Sequence, residues 1–176
     1  MKAMKPLLIN NLDFAISQQA VTGTVDLSAL SRLNDLLAFS NEQLDVKNQP
    51  ANIQYILEGS AKKHSQPSLQ INIKAELPTI CQRCLNEMRV HLNLNFDYLI
   101  SDIELAELNG NDDVDWLETS REFNVWELIE DELLIAFPIA PVHSVKHQEV
   151  CIQHNKQSGE KPNPFAVLKD FATKSS

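Results

Sequence analysis

Three long runs of alternating apolar and polar residues occupy the middle of the chain. They are ANIQYILEG (51–59), SLQINIKAEL (68–77) and MRVHLNLNFDY (88–98). A period of two over this length is typical of strands with one buried and one solvated face, which is the pattern of antiparallel sheets. The polar stretch SAKKHSQP separates the first two runs, and PTICQRCLNE separates the second from the third. We therefore predict two successive antiparallel hairpins.

Helical periodicity flanks these runs on both sides. LDFAISQQA (12–20) predicts a short helix capped by Asn11, and VTGTV (21–25) predicts a short strand. Asp26 precedes a second amphipathic segment, LSALSRLNDLLAF. A third helix, VWELIEDELLIAF, is predicted to follow Asn124 as its N-cap and to end before Pro138. Its apolar stripe is Val125, Leu128, Ile129, Leu133 and Ala136, and its predicted outer face is Glu127, Glu130 and Asp131.

These elements predict an α+β fold with an antiparallel sheet of four to five strands and three to four helices. The pattern leaves open whether the sheet closes into a barrel. Residues 101–120 are predicted to form a short helical piece and a loop, and EFNV a short strand. We assign 1–142 to a single α+β domain and 143–176 to a polar segment with a short C-terminal helix.

The C-terminal helix is predicted from KPNPFAVLKDF, where Asn163 is the N-cap and Pro164 the first helical residue. Phe165, Leu168 and Phe171 then lie along one side. A short apolar helix after a polar linker either docks back on its own domain or binds a partner. Both alternatives stay open at this point.

Acidic residues are unevenly distributed along the chain. The formal charge is −9, yet the region from 97 to 132 holds 13 acidic residues against one basic residue, Arg121. A surface of this sign repels phosphate and disfavours binding of nucleic acid through counterion release. It is either a solvated face or a surface that attracts a basic partner. The absence of a membrane-spanning run, of a signal-peptide pattern and of a disulfide framework predicts a cytoplasmic protein.

The sequence contains little that indicates a catalytic site. The four glycines are widely spaced, which excludes the glycine-rich phosphate loops of nucleotide-binding proteins. Glu130, Asp131 and Glu132 are consecutive, so their side chains point in different directions on a helix and do not form an acid–base pair. We predict that the protein is not an enzyme.

The motif CQRC places Cys81 and Cys84 at the tip of the second predicted hairpin. A redox dithiol needs a βαβ setting, which the flanking strand patterns do not provide. A structural zinc needs two further ligands, and the segment PVHSVKHQEVCIQH offers them. The candidate metal ligands are Cys81, Cys84, His143 and His147, with Cys151 as a substitute. The alternative is that the cysteines form a small apolar turn and the histidines lie on the surface.

CQRCL, EDELLIAFPIAPVH, RLNDLLAF and the terminal KPNPFAVL together resemble the YceD family, the large ribosomal RNA subunit accumulation proteins of bacteria. The resemblance spans nearly the whole chain. It implies a role in synthesis, processing or stability of 23S rRNA without catalysis. Many relatives carry a cysteine-rich segment after the second motif that would complete a four-thiolate site. Here that segment offers His143, His147 and a single cysteine, Cys151.

We therefore expect a non-catalytic ribosome-biogenesis factor whose partner is a basic ribosomal protein or assembly factor. One alternative is a zinc-dependent RNA-binding module, which needs a basic patch assembled from Lys62, Lys63, Arg83 and Arg89. A second is a nuclease that binds Mg²⁺ through Glu130, Asp131 and another residue.

Overall fold

The computed structural model describes residues 6–40, 51–63, 66–101 and 115–143. The elements, in chain order, are β1 (Leu8–Ile9), α1 (Asn11–Ile16), β2 (Ala20–Val25), a 3₁₀ turn (Leu27–Ala29), α2 (Ser31–Ser40), β3 (Asn52–Lys63), β4 (Gln66–Ile80), β5 (Glu87–Ile100), β6 (Asp115–Leu117), β7 (Phe123–Asn124) and α3 (Val125–Ala136). Within these ranges no helix has the length and apolar character that crossing a membrane requires.

The three alternating runs form the centre of a five-stranded sheet in the order β2-β3-β4-β5-β6. Strands β2 to β5 pair with their neighbours in antiparallel fashion, which confirms the two predicted hairpins. Each strand is longer than its pattern indicated, and β4 and β5 pair without interruption from Ser68↔Leu99 to Ile80↔Glu87. The long β4–β5 ladder fixes where the turn after Ile80 lies.

The sheet is mixed, so the prediction of a purely antiparallel sheet is wrong in one strand. β6 pairs with the end of β5 in parallel, with Leu99 opposite Trp116. Its three residues are too few to show a period, which is why the sequence pattern gave no sign of it. β2 and β6 stand at the two edges and do not pair with each other, so the sheet is open rather than a barrel.

The described residues form a second sheet of two strands, of which only one was predicted. The EFNV strand exists as β7, and it pairs with β1, a two-residue strand that no periodicity marked. The side chain of Asn11 holds residues 118–120, just before β7, next to the start of α1. This side chain donates to the carbonyl of Glu118 (2.8 Å) and accepts from the N–H of Ser120 (2.9 Å). Asn11 is therefore buried and cannot cap α1; Asn10 does so instead, by accepting from Asp13 N–H.

The core lies between one face of the sheet and the helices. The first two alternating runs supply most of the sheet side with buried apolar residues: Ile53, Tyr55, Leu57, Leu69, Ile71, Ile73, Ala75 and Leu77. In the third run Val90 and Tyr98 are buried, whereas Leu92, Leu94 and Phe96 are half-buried. α2 and α3 cover them with Leu33, Leu37, Ile129 and Leu133, which are inaccessible to solvent. Burial of this face is what fixes the register, because a slip by one residue would turn every apolar side chain outward.

Helix α3 begins after Asn124, whose side chain accepts from Trp126 N–H as predicted. One residue of its predicted outer face is misplaced. Glu130 is only 5% exposed, because its carboxylate accepts hydrogen bonds from Leu33 N–H (3.1 Å) and Arg32 Nε (3.0 Å) at the start of α2. This carboxylate satisfies one of the backbone donors that the first turn of a helix leaves unpaired.

Candidate metal centre

The turn between β4 and β5 presents both thiols from a compact loop. Cys81 N–H donates to the carbonyl of Asn86 (2.9 Å), and Leu85 N–H donates back to the carbonyl of Cys81 (2.8 Å). These two bonds close the loop directly beyond the last ladder pair, Ile80↔Glu87. Cys81 and Cys84 are both buried, and they pack against Met88 as a cluster separate from the main core.

Leu85 has a positive φ of 59°. A left-handed conformation costs a non-glycine residue about 1–2 kcal/mol, and such residues concentrate at ligand-holding sites. Here it directs the chain so that Leu85 N–H reaches the carbonyl of Cys81, while its side chain stays 69% exposed. This strain could not be predicted from the residue type, because glycine or asparagine would be the ordinary residue at such a position.

The third ligand-type residue arrives from the segment after α3. Phe137 and Pro138 end the helix, and the chain continues without helix or strand to His143. Gln82 N–H donates to the carbonyl of Pro141 (2.8 Å), which ties this segment to the hairpin tip. As a result, His143 Nδ1 lies 3.4 Å from Cys84 Sγ.

The ligand atoms of Cys81, Cys84 and His143 all lie within 4.8 Å of one another. Donor atoms about 2.0–2.3 Å from a tetrahedral zinc are separated by roughly 3.5–3.8 Å, so a small inward movement would complete three corners of such a site. Two thiols and an imidazole are soft to intermediate donors, which suit zinc and do not suit Mg²⁺ or Ca²⁺. The residues present therefore fit a structural zinc with one position left to fill.

The electrostatic setting of Cys81 favours the thiolate that zinc requires. Burial opposes ionisation, but the N–H groups of Cys84, Arg83 and His143 point at the sulfur and the Cys84 thiol adds a further hydrogen bond. Together they lower the pKa of Cys81 to about 5. Backbone N–H groups directed at a sulfur stabilise its charged form, and a thiolate is the form that binds metal.

Of the four predicted ligands, the structure brings Cys81, Cys84 and His143 together. His147, the fourth, lies outside the described residues, as does its substitute Cys151. The backbone contact between Gln82 and Pro141 could not have been found from side-chain types, because it is made by main-chain atoms. His143 could be recognised from the sequence because histidine is a zinc ligand and because it follows soon after the proline that ends α3.

The carboxylates considered for a magnesium site have other partners. Arg32 contacts Glu130 (2.9 Å) and Asp131 (2.7 Å) through its guanidinium group. Among the described residues, the cysteine–histidine cluster is the one group whose ligand atoms converge as a metal site would require. The structure therefore gives Glu130 and Asp131 a role in joining α3 to α2.

The basic patch required by the RNA-binding alternative does not assemble. Lys63 pairs with Gln66 at the first residue of β4, whereas Arg83 follows the last residue of that strand. Fifteen strand residues lie between the two turns, which at ~3.3 Å per residue is roughly 50 Å of strand. Lys62 and Lys63 thus stand at the opposite end of β4 from Arg83 and Arg89.

Comparison with known proteins identifies the family. Residues 69–172 match the family described as Large ribosomal RNA subunit accumulation protein YceD. A protein of that name from Haemophilus influenzae is 32% identical over 118 residues, which are 60% of this chain and 63% of the relative. The matched region thus spans less than two thirds of the relative's length, and no solved structure matches the chain. Because the family match covers more than half of the sequence, the chain belongs to the YceD family.

Proposed function

We propose that this protein is a non-catalytic ribosome-biogenesis factor that supports synthesis, processing or stability of 23S rRNA. Membership of the YceD family carries the proposal, since the matching family and the bacterial relative are both named for accumulation of the large ribosomal RNA subunit. The matched residues include most of β4, all of β5 and α3, and the cysteine–histidine cluster. The cysteine–histidine cluster and the strands and helix that position it therefore lie in the part of the chain that the family shares.

The proposed mode of action is binding of a basic ribosomal protein or assembly factor. An acidic surface on β6, the following loop and α3 supports it. We define the acidic face by its exposed carboxylates, which are Asp115, Glu118, Glu122, Glu127 and Asp131. Fields from like charges of this kind raise association rates with oppositely charged proteins and repel phosphate.

The shape of the acidic face suits a long basic side chain. A groove of about 310 Å³ lies between the β6–β7 region and α3, with Leu117, Phe123 and Leu128 among its lining residues. Glu122, Glu127 and Asp131 line it as well. Lysine and arginine bury an aliphatic stem while keeping the charged end near carboxylates and water, and this groove offers both environments.

In this proposal, zinc stabilises the fold of the protein. A metal held by Cys81, Cys84, His143 and a fourth ligand would fix the segment after α3 to the tip of the β4–β5 hairpin. Structural zinc sites contribute directly to folding stability, and they need no open coordination position. The metal would thus stabilise the fold at the tip of the β4–β5 hairpin without taking part in a reaction.

The test is complementation of a strain that lacks the gene, read out by sedimentation of ribosomal subunits. A deletion strain should accumulate less of the large subunit, and the wild-type gene should restore it. A variant with Glu118→Gln, Glu122→Gln and Glu127→Gln should restore it poorly. A matched control with Asp13→Asn, Asp35→Asn and Glu58→Gln removes the same charge elsewhere and should restore it fully.

Two outcomes would contradict different parts of the proposal. A normal large-subunit peak in the deletion strain would overturn the role in ribosome biogenesis. Retention of purified 23S rRNA by the isolated protein that weakens steeply as salt is added, with no basic protein captured at low salt, would instead favour the RNA-binding alternative. Loss of capture in the triple glutamine variant, but not in its control, would support the acidic face as the contact.

A further inference from the structure

A groove of about 790 Å³ runs along the beginning of β5, next to the cysteine–histidine cluster. One wall consists of the five consecutive residues from Glu87 to His91, and the other of Pro138, Ala140, Pro141, Val142 and His143. Successive strand residues point to opposite faces, so a groove lined by five in a row follows the edge of the strand. On this edge, β6 pairs only with Tyr98–Ile100, and no other described strand pairs with β5 there.

The groove and its rim expose apolar surface. Met88 on one wall is half-buried, and Val142 on the opposite wall is 49% exposed. Ile139 lies in the same segment as Val142 and is fully exposed. Unprotected strand edges and contiguous apolar patches are usually covered in native proteins by a helix, a loop or a partner. We therefore expect a further segment or a partner to cover the edge of β5 and the apolar residues beside it.

The chain itself continues from the groove. His143 lines it and is also the last described residue, so the 33 residues that follow start at its wall. Within them, Phe165 and Leu168 fall on one side of the segment predicted as a helix, and the 19 residues of linker from 144 to 162 can reach any point on the domain. Residues 144–176 also carry five lysines against three acidic residues, in a chain whose net charge is −9.

We propose that residues 163–171 dock into this groove of their own chain, with Phe165 and Leu168 against Met88, Val90 and Val142. The family match extends to residue 172, so the docking segment belongs to the same matched region as both walls of the groove. The docked segment would cover the edge of β5 and shield Cys84 and His143 from solvent. This inference stands apart from the proposed role in ribosome biogenesis.

Met88 gives a direct probe, because the chain has only three methionines and the other two are Met1 and Met4. The full-length protein labelled with ¹³C at the methionine methyl groups should give three resonances, and Met88→Leu assigns the relevant one. We expect a nuclear Overhauser contact between this methyl and an aromatic ring that disappears in Phe165→Leu. We also expect Phe165→Ser and Leu168→Ser to shift the methyl resonance.

The matched control is Val167→Ser, which removes an apolar side chain from the opposite side of the predicted helix and should leave the Met88 methyl unchanged. The proposal is overturned if Phe165→Ser and Leu168→Ser leave it unchanged too. It is also overturned if Val150→Ser with Ile152→Ser shifts the resonance while the tail variants do not, since a different segment would then occupy the groove. A contact between labelled and unlabelled chains in a mixed sample would assign the groove to a second copy.

Discussion

Cys84 Sγ lies 3.4 Å from Nδ1 of His143, although 59 positions separate the two residues in the sequence. The hairpin tip and the segment after α3 meet through the Gln82–Pro141 backbone hydrogen bond, so the proximity does not depend on a metal contact. A preformed set of three ligands loses less conformational entropy on binding an ion than a flexible one. The arrangement leads directly to a prediction about metal content.

We expect about one zinc ion per chain in the purified protein, measured by elemental analysis against protein concentration. Cys81→Ser, Cys84→Ser and His143→Ala should each reduce the zinc content strongly. His91→Ala is the matched control, because His91 is an exposed histidine outside the cluster. Wild-type protein purified without zinc, and unable to take it up, would contradict the prediction.

The fourth ligand is predicted to be His147. His147→Ala should lower zinc affinity in a competition assay with a chelator, and Cys151→Ser should leave it close to the wild-type value. The opposite result would assign the fourth position to Cys151 and would make this part of the sequence prediction wrong.

Strain at Leu85 predicts a stabilising substitution. Because φ is 59° and the side chain is 69% exposed, Leu85→Gly should relieve the left-handed strain with little loss of burial. We expect the free energy of unfolding to rise by about 1 kcal/mol in urea denaturation at constant metal content. Leu85→Val should lower it, because a β-branched residue tolerates positive φ poorly. A lower stability for Leu85→Gly would show that the contacts of the leucine side chain outweigh its strain.

Glu130 is expected to be the most sensitive carboxylate of α3. Replacement by alanine removes the acceptor for Leu33 N–H and the partner of Arg32, at a position only 5% exposed. Loss of a buried charged hydrogen-bond partner should lower the free energy of unfolding by about 2 kcal/mol in urea or thermal denaturation. Glu127→Ala on the exposed side of the same helix is the control and should change it by less than about 0.5 kcal/mol. Equal effects of the two substitutions would remove the special role of Glu130.

The parts of this fold that sequence reasoning predicted are those fixed by long periodic burial. β3, β4 and β5 correspond to runs of alternating apolar and polar residues over 9, 10 and 11 positions (51–59, 68–77 and 88–98), so a period of two was visible. β6 and β1 have three and two residues, too few for any period, and their pairing depends on chain segments far away in sequence. Asn11 and Glu130 were misassigned for a related reason. Their polar side chains satisfy backbone groups of other elements, which a local pattern does not contain.

The candidate metal site was also predicted only in part: its ligand residues were found from the sequence, and its backbone geometry was not. Ligand chemistry pointed to Cys81, Cys84 and His143 before any geometry was known, because thiols and imidazoles are the residues that zinc binds. The strain at Leu85 and the lowered pKa of Cys81 depend on the path of the backbone through the turn. Neither could be predicted from the letters CQRCL alone.

Tyr98 predicts a loss of stability at alkaline pH. Burial raises its pKa, and the hydrogen bond that its hydroxyl donates to Glu132 Oε1 (2.5 Å) raises it further. A tyrosine in the unfolded chain ionises near pH 10, so above about pH 10 the unfolded state loses a proton that the folded state keeps. The stabilising contribution of neutral Tyr98 is therefore complete below about pH 10 and decreases as the pH rises beyond it.

The measurement is urea denaturation at several pH values between about 8 and 11, with Tyr98→Phe as the comparison. The phenylalanine ring can keep the stacking on Phe96, whose ring centroid lies 6.1 Å away, so the substitution removes mainly the hydroxyl. At neutral pH we expect Tyr98→Phe to be less stable by roughly 1 kcal/mol, because the hydrogen bond to Glu132 is lost. Above about pH 10 the two stability curves should converge, since only the wild type then has a Tyr98 proton to lose on unfolding. Parallel curves across this range would mean that the Tyr98–Glu132 hydrogen bond does not keep the phenol protonated in the folded protein.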